Sequence, residues 1–497
     1  MRKLIIFLFL IGLISCDSLL DVNPSDSYSI DTYWTGIENY DAALAGIYNN
    51  LRSNFRLIAG ETEMLTPNAF DYGVYDANAI AMGRALSTTN EFLLWWQWGY
   101  RGIGRANTFL DHIKEDSPLP ESRKSQMKGE ALFLRALFYS YLVEVFGGVP
   151  LITETPNNET HGKLPRSSKQ DVVNLIINDL TEAANLLPVN PSNIGRATKG
   201  AALSLKARIF LYNQRWAEAA QAAKEVIDLE AYSLFPDYRG MFLPANENNE
   251  EIIFDVQYLR PFSVHVGDHY IYTWGRPVPL KDLVDAYLML DGKTITESIL
   301  YDPKNPYENR DPRLHQTVVI PGYLYNGEIQ KEGEIPVHHT GYGQKKLTSY
   351  PDNETIFIPL GQSDLNVILI RYAEVLLTYA EALNEVSNAP NNEVYLALNQ
   401  IRKRPTVNMP EIETGLNKEQ MRDVIRLERR IELALENHYY FDIKRWRTAE
   451  IVNNGPVFNS KGEAIEIRTF NKDRDYLWAI PHVEIQENPA LTQNPGW

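Results

Sequence analysis

Apolar residues recur every three or four positions over several long stretches of this chain, which is the spacing of amphipathic helices. The first stretch begins near Ile37, in IENYDAALAGIYNNLR. The same spacing predicts further helices at about 90–115, 121–147, 168–187, 197–213, 215–229, 364–387, 391–403 and 417–436. The chain is therefore predicted to be mostly α-helical.

The middle of the chain, about 232–362, follows a different pattern. It is rich in Pro, Gly, Asn and Tyr, and its strand-like runs, EIIFDVQY and ETIFIPL, are short. Loops of this length in a compact fold usually carry function. We interpret this segment as a loop-rich insertion that packs on the helices and supplies part of a binding face.

Two helix pairs alternate small and large residues at helical spacing. The positions are Ala207, Phe210, Trp216, Ala219, Ala223 and Ile227 in the first pair, and Ala373, Tyr379, Ala380, Ala397 and Ile401 in the second. This resembles the tetratricopeptide pattern, in which alanines let antiparallel helices approach closely. We expect an irregular helical-repeat scaffold, covering about 36–230 and 364–446, interrupted by the insertion.

The N-terminus has the sequence pattern of an export signal. Residues 1–15 have a basic start and a short apolar run, which is typical of a signal peptide. Leu13-Ile14-Ser15-Cys16 resembles the lipobox of bacterial lipoproteins, so Cys16 is predicted to be lipidated, with 16–30 as a tether and 31–497 as one folded domain. The alternative is an ordinary secretory peptide with a chance cysteine. Because Cys16 is the only cysteine, no intramolecular disulfide can form.

Composition narrows the class of partner. A charged fraction of 23% and a hydrophobic fraction of 44% are typical of a folded globular protein. The formal net charge of -16 argues against nucleic acid as a partner, because phosphate binding needs a basic face.

Segments along the whole chain resemble the SusD/RagB family, surface lipoproteins that capture nutrients beside a TonB-dependent transporter. They are LLDVNPSDS after the lipobox, YWTGIENYDAALAGIYNNL, YRGIGRAN, KGEALFLRALFYSYLVEVFGGVPLI, GRATKGAALSLKARIFLY, IRYAEVLLTYAEALNE, LERRIELALENHYYFDIKRW and LWAIPHVEIQENPALTQNPGW. One departure is Asn437, where the family commonly has Gly. Asn437 can still adopt the left-handed conformation that ends a helix.

The resemblance implies a SusD-like, tetratricopeptide-like scaffold whose insertions form the ligand face, docked on a SusC-like transporter. It implies an outer-membrane, lipid-anchored and surface-exposed protein that binds an oligosaccharide and delivers it, without catalysis or cofactor. Three alternatives remain open: a peptide-binding member of the same fold, a surface glycosidase, and a scaffold that only covers the transporter.

Clusters of titratable residues have simpler interpretations than catalysis. Glu428, Glu432 and Glu436 share one helical face, but the arginines among them favour ion pairs, and Glu374 and Glu381 are interpreted in the same way. His265 and His269, with Asp268 between them, lie in a segment without a helical pattern, where a spacing of four does not guarantee a shared face. His338-His339 lacks a third ligand nearby. No metal site is therefore predicted, although a structural calcium in the acidic loops stays open.

The aromatic run EFLLWWQWGY, residues 91–100, divides by helical phase. Trp96 and Tyr100 share a stripe with Phe92 and Ile103, which predicts a core position. Trp95 and Trp98 point elsewhere and are expected to form a second aromatic face that stacks on sugar rings. The alternative is that they pack beneath a neighbouring element.

Further candidate ligand contacts come from loops. They are Asp71, Tyr72, Tyr75 and Arg84 before the tryptophans, Tyr270, Tyr272, Trp274 and Arg276 in HYIYTWGRP, and Tyr342 in HHTGYGQKK. Aromatic faces with polar neighbours suit sugar binding. Ordinary loop packing is the alternative for each of them.

Overall fold

A computed structural model describes residues 33–54, 60–73, 76–191 and 193–497. The predicted signal peptide, Cys16 and the tether 16–30 lie outside these ranges, as does Tyr75. Within the described ranges, every helix is too short or too polar to cross a membrane.

Helices dominate the N-terminal half, and the long ones begin and end within a few residues of their predicted bounds. They are α1 Ile37–Arg52, α2 Asp76–Ala81, α3 Asn90–His112, α4 Glu121–Phe146, α5 Asn158–His161, α6 Lys169–Leu186, α7 Lys199–Tyr212 and α8 Trp216–Ile227. The chain is mostly helical, as the periodicity predicted.

The insertion contains only short helices, and longer ones return after it. The insertion holds α9 Gly267–Tyr272, α10 Lys281–Ala286 and α11 Arg313–Thr317, and the C-terminal part holds α12 Tyr372–Val386, α13 Asn392–Arg402, α14 Lys418–Glu432, α15 Tyr439–Arg445, α16 Ala449–Val452 and α17 His482–Glu487. Single 3₁₀ turns lie at Glu61–Leu65, Gly240–Phe242 and Pro244–Asn246.

Within the described residues, every strand belongs to a two-stranded antiparallel sheet. The pairs are β1 Ala69–Phe70 with β3 Val278–Pro279, β2 Ile252–Val256 with β8 Val367–Arg371, β4 Val318–Val319 with β7 Gly343–Gln344, β5 Leu324–Tyr325 with β6 Glu328–Ile329, and β9 Gly455–Phe458 with β10 Ala464–Arg468. The run EIIFDVQY thus forms β2, as predicted.

Two predictions of local structure are wrong. The segment predicted as a helix from 364 begins instead with β8, because its run of β-branched and apolar residues pairs with β2. The run ETIFIPL forms no strand: Ile358 packs into a small core cluster, and Pro359 cannot donate a ladder hydrogen bond.

Close helix packing depends on missing side chains at the contact between α3 and α4. A Cβ atom built on Gly99 would lie 2.7 Å from Leu142, and one on Gly102 would lie 2.4 Å from Phe138. Because those distances are shorter than any real carbon contact, only glycine lets the two helices approach this closely.

Buried charges hold the C-terminal helices to the insertion. The Glu432 carboxylate on α14 accepts hydrogen bonds from Arg313 at 2.9 Å, from Arg371 at 2.8 Å and from Arg404 at 2.8 Å. Burial alone would raise the pKa of Glu432, but these arginines outweigh it and hold that pKa well below its usual range. The carboxylate is therefore charged at neutral pH.

The same network includes three more buried acids: Glu428 on α14, Glu436 just after it, and Glu251 in the insertion. Glu428 pairs with Arg313 and Arg402, Glu436 pairs with Arg371 and Lys346, and Glu251 pairs with Arg371 and Arg404. On other helices Glu374 pairs with Arg208, and Glu381 pairs with Arg445. The interpretation of these carboxylates as ion-pair partners is confirmed.

Neutralising Glu432 should destabilise the fold strongly. Glu432→Gln keeps the side-chain size but leaves the buried arginines short of a counter-charge, so the free energy of unfolding should fall by about 3–5 kcal/mol, as for other broken buried pairs. Urea unfolding followed by circular dichroism measures this. Asp423→Asn, at an exposed position of α14, is the matched control and should change it by at most about 0.5 kcal/mol. Equal effects in both variants would contradict the central role of Glu432.

Candidate functional site

Trp95 and Trp98 lie in the core and not on an exposed aromatic face. Their side chains are 1% and 4% exposed. The Trp95 indole donates to the Glu91 carboxylate at 2.7 Å, and the Trp98 indole donates to the Asn50 carbonyl oxygen at 2.8 Å. Both rings also pack edge-on against Tyr141. The expectation that this pair stacks on sugar is therefore corrected: α4 covers the second face of α3 as fully as the first.

The candidate site is a group of aromatic rings contributed by two distant loops. We define the Tyr72–Trp274 cluster as Tyr72, Trp274, His338 and His339, which pack around Gly275. Tyr72 is 41% exposed and Trp274 is 40% exposed. The Tyr72 ring stacks on His339 with centroids 3.5 Å apart and planes 17° apart, and His338 lies 3.8 Å from His339. The cluster thus presents aromatic surface to solvent.

Gly275 joins the two sides of the cluster. Its φ is +60°, in the left-handed region, and a Cβ there would lie 3.0 Å from the His339 ring and 3.2 Å from the His338 ring. Glycine therefore lets the backbone after Trp274 rest directly on both imidazoles.

Polar candidates beneath the cluster form its base. The Arg276 guanidinium donates to the Asp71 carboxylate at 2.6 Å, and Asp71 is only 2% exposed. Arg276 also lies over the Tyr270 ring, 5.2 Å from its centroid, and the Tyr270 hydroxyl donates to Glu61 at 2.5 Å. Asp71, Tyr270 and Arg276 therefore hold Tyr72 and Trp274 in place and do not themselves form the exposed surface.

Strand pairing explains why these loops meet. Phe70 in β1 pairs with Val278 in β3, so the residues just after β1 face those just before β3. The Thr340 hydroxyl donates to the Pro279 carbonyl oxygen at 2.7 Å, which brings the preceding histidines to the same place. These contacts bring together four of the candidate residues: Asp71, Tyr72, Trp274 and Arg276. The sequence predicted them as ligand contacts in two separate loops, but it did not predict that the loops meet.

The remaining candidates lie elsewhere. Tyr272 packs against Tyr350 at 4.5 Å in a separate small core, and Tyr342 is 1% exposed with its ring beside Tyr307. Arg84 is exposed after α2, and within the described residues no contact joins it to the cluster. The prediction of a ligand contact is corrected for Tyr342, because it is buried beside Tyr307. Tyr272 is half-buried, and its ligand contact stays a prediction.

The two histidines of the cluster are neutral at physiological pH. Burial lowers the pKa of His338. Burial is also the main reason that the pKa of His339 is lowered to about 4, and the neighbouring His338 contributes less. A neutral imidazole stacks under Tyr72 without adding charge. The ring under Tyr72 is thus an aromatic support at pH 7.

His339 is the residue that sequence reasoning missed. The pair His338-His339 was weighed only for metal binding, and within the described residues no group of three His, Cys, Asp or Glu is arranged to hold a metal. The adjacent aromatic loop residues were the available signal, but the stack on Tyr72 depends on chain segments more than 250 positions apart.

Comparisons with known proteins place the chain in a family. A model described as "SusD family" matches residues 227–497, more than half of the 497 residues, and one described as "Starch-binding associating with outer membrane" matches residues 19–211. This chain belongs to the SusD family, as the sequence segments predicted.

Individual relatives agree with this placement. SusD-like protein P38 of Formosa agariphila is 28% identical and is aligned over 99% of this chain and 98% of its own length. A crystal structure of a SusD-like carbohydrate binding protein from Bacteroides fragilis has a TM-score of 0.85 at 27% identity, over 93% of this chain and 100% of that chain. The starch-binding protein SusD of Bacteroides thetaiotaomicron is 29% identical over 172 residues, covering 32% of this chain and 30% of that protein.

The stability of the fold should fall in mild acid partly because of His339. A histidine in the unfolded chain has a pKa of about 6.5, whereas His339 in the folded chain has one of about 4. Between these values the unfolded state binds more protons, so stability is lost as pH falls from 6.5 towards 4.

Removing the imidazole tests this directly. His339→Phe keeps a ring under Tyr72, and His339→Asn removes both ring and titration. Both variants should lose less stability than the parent between pH 7 and pH 5 in urea unfolding. If the free energy of unfolding changed with pH in both variants as it does in the parent, the lowered pKa of His339 would be contradicted.

Proposed function

We propose that this protein is a surface glycan-binding lipoprotein of the outer membrane, which captures an oligosaccharide and delivers it to a SusC-like TonB-dependent transporter. The observation that carries the proposal is the exposed aromatic surface of Tyr72 and Trp274. Flat aromatic rings stack on the apolar faces of sugars, so binding needs no reaction. Affinity is expected to be modest, because each contact replaces one with water.

The relatives support a carbohydrate ligand. The Bacteroides fragilis protein is described as carbohydrate binding, and the Bacteroides thetaiotaomicron protein as starch-binding. The family model over 19–211 is described as associating with the outer membrane, which agrees with the proposed lipid anchor at Cys16. The transporter is the partner that the SusD/RagB resemblance implies.

The alternative ligand is a peptide. A peptide site would present backbone donors and acceptors along a groove. The Tyr72–Trp274 cluster instead presents two exposed rings, and the polar groups beneath it, Asp71 and Arg276, are bonded to each other and not offered to a backbone. This arrangement favours a sugar ring over a peptide backbone.

Catalysis is not part of the proposal. A glycosidase needs two carboxyl groups about 5–10 Å apart across a bound sugar. Near the cluster, the Asp71 carboxylate is bonded to Arg276, and the acids of α14 are bonded to buried arginines. A protein that only covers the transporter would need no exposed aromatic surface, so that alternative predicts no glycan affinity at all.

Trp274→Ala and Tyr72→Ala should each weaken glycan binding about tenfold, equivalent to about 1.4 kcal/mol, because each removes one stacking surface. A glycan array identifies the ligand, and calorimetry then measures its dissociation constant for each variant.

Phe262→Ala is the matched control. Phe262 is 86% exposed but makes no ring contact with the cluster within the described residues, so its removal should leave affinity unchanged. Peptide binding with no glycan binding would contradict the sugar ligand. Glycan binding that both cluster variants leave intact would contradict the site, and release of products from a glycan would contradict the absence of catalysis.

A further inference from the structure

A second, basic cleft lies on the helical scaffold. It has a volume of about 530 Å³, within the roughly 300–1,000 Å³ of small-molecule sites. The end of α4, the start of α6, the end of α7, α15 and the segment 472–477 enclose it. None of the residues of the Tyr72–Trp274 cluster lines it, so it is a separate site.

The cleft collects positive charge in an acidic protein. Within the described part of the chain, four of its cations form no ion pair: Lys169, Lys444, Arg447 and Lys472. Two acids, Glu144 and Asp473, line it as well. The other two cations of the lining form ion pairs: Arg445 pairs with Glu381 and Asp442, and Arg474 pairs with Asp475. The lining therefore has an excess of cations, whereas the chain as a whole has a net charge of -16.

Lys444 is the most deeply placed of the four cations. It is 7% exposed, its ammonium lies 4.7 Å from the centroid of the Tyr440 ring, and the nearest hydroxyl, also of Tyr440, is 3.5 Å away. Glu144 and Asp475 favour the charged form of Lys444, but within the described residues neither forms an ion pair with it, and burying an ammonium is costly unless such partners compensate it fully. A bound anion would supply that compensation.

The rest of the lining suits a sugar better than a simple ion. Glu144 and Asp473 would repel any anionic group close to them, but their carboxylates can accept hydrogen bonds from hydroxyl groups, which a sugar has and a simple ion lacks. Aromatic rings form part of the wall, although they are mostly covered: Tyr212 and Phe441 are each 7% exposed, and Arg447 lies over the Tyr476 ring, 4.1 Å from its centroid.

We propose that this cleft binds an acidic saccharide, a sugar of one or two rings that carries a carboxylate or a sulfate ester. The anionic group lies against Lys444 and its neighbouring cations. The hydroxyls bond to Glu144, Asp473 and the amides of Asn213 and Gln214. This inference does not depend on the function proposed for the Tyr72–Trp274 cluster.

Calorimetry on the full chain tests the proposal with four probes: a uronate disaccharide, a sulfated disaccharide, a neutral disaccharide and inorganic sulfate. At least one acidic disaccharide should bind at least tenfold more tightly than the neutral one and than inorganic sulfate, and comparing the two acidic probes identifies the anionic group. Equal binding of the neutral sugar, equal binding of inorganic sulfate, or no binding of either acidic sugar would overturn the proposal.

Two charge reversals locate the site without disturbing the core. Lys472→Glu lies in an exposed loop, and Lys169→Glu places an acid in the first turn of α6, where it suits the helix dipole. Each should weaken binding of the acidic sugar at least tenfold. Lys293→Glu, an equal charge change at an exposed position outside the cleft, should leave it unchanged. Loss of binding in Trp274→Ala but not in the two cleft variants would overturn the proposal and place the ligand at the aromatic cluster.

The pH dependence provides a readout that is specific to Lys444. Burial, helped by Lys169 and Arg447 and opposed by Glu144 and Asp475, lowers the pKa of Lys444 to about 7. A bound anion favours the charged amine, so binding takes up a proton, and affinity should fall as pH rises from 7 to 9. Lys444→Gln should bind the acidic sugar more weakly at pH 7, and its affinity should change much less than that of the parent between pH 7 and pH 9. An unchanged pH profile in that variant, with its fold intact by circular dichroism, would overturn the role of Lys444.

Discussion

The buried ion network around Glu432 is the interaction on which the arrangement of the chain depends. It joins α14 to the end of β8 through Arg371, to the end of α13 through Arg404, and to the insertion through Arg313. Unlike an apolar contact, a buried charge is tolerated only where its partners lie within hydrogen-bond distance. The network therefore permits few positions of the insertion relative to the helices. Its main contribution is to fix where the insertion packs.

The position of the candidate site follows from this network. Immediately after α14, Asn437 adopts a φ of 64° and its side chain accepts hydrogen bonds from the backbone and hydroxyl of Thr62. The backbone N–H groups of His438 and Tyr439 donate to Glu63 in the same 3₁₀ turn. That turn leads directly into β1 and then to Tyr72. A chain of short polar contacts thus connects the buried charges to the exposed rings.

Local pattern was sufficient to predict the scaffold, and it failed where packing between distant segments decides the outcome. The helical spacing located α1, α3 and α6 closely because one face of each is apolar, and it located α4 although most of that helix is buried on all sides. The pattern predicts a helix where β8 lies because a continuous apolar run suits either form, and its partner β2 lies more than a hundred positions earlier. Helical phase put Trp95 and Trp98 on a different side of α3 from Trp96, but all three are buried, because phase does not reveal whether another element covers the second side. Trp274 is 40% exposed in the part of the chain that the structure describes, and this difference is visible only in three dimensions.

The rigidity of the aromatic cluster bears on how it can bind sugars. A ligand that must order loops loses affinity to the entropy of ordering, at about 0.5–1.5 kcal/mol for each side chain immobilised. Tyr72 is already held by its stack on His339, and the backbone beside Trp274 is held by Arg276, which is bonded to Asp71. The Asp71–Arg276 pair and the stack on His339 fix these rings before a ligand arrives. The entropy cost of ordering them is therefore not subtracted from the free energy of stacking. In the sugar site that we propose, the Asp71–Arg276 ion pair would therefore support recognition without contacting the sugar.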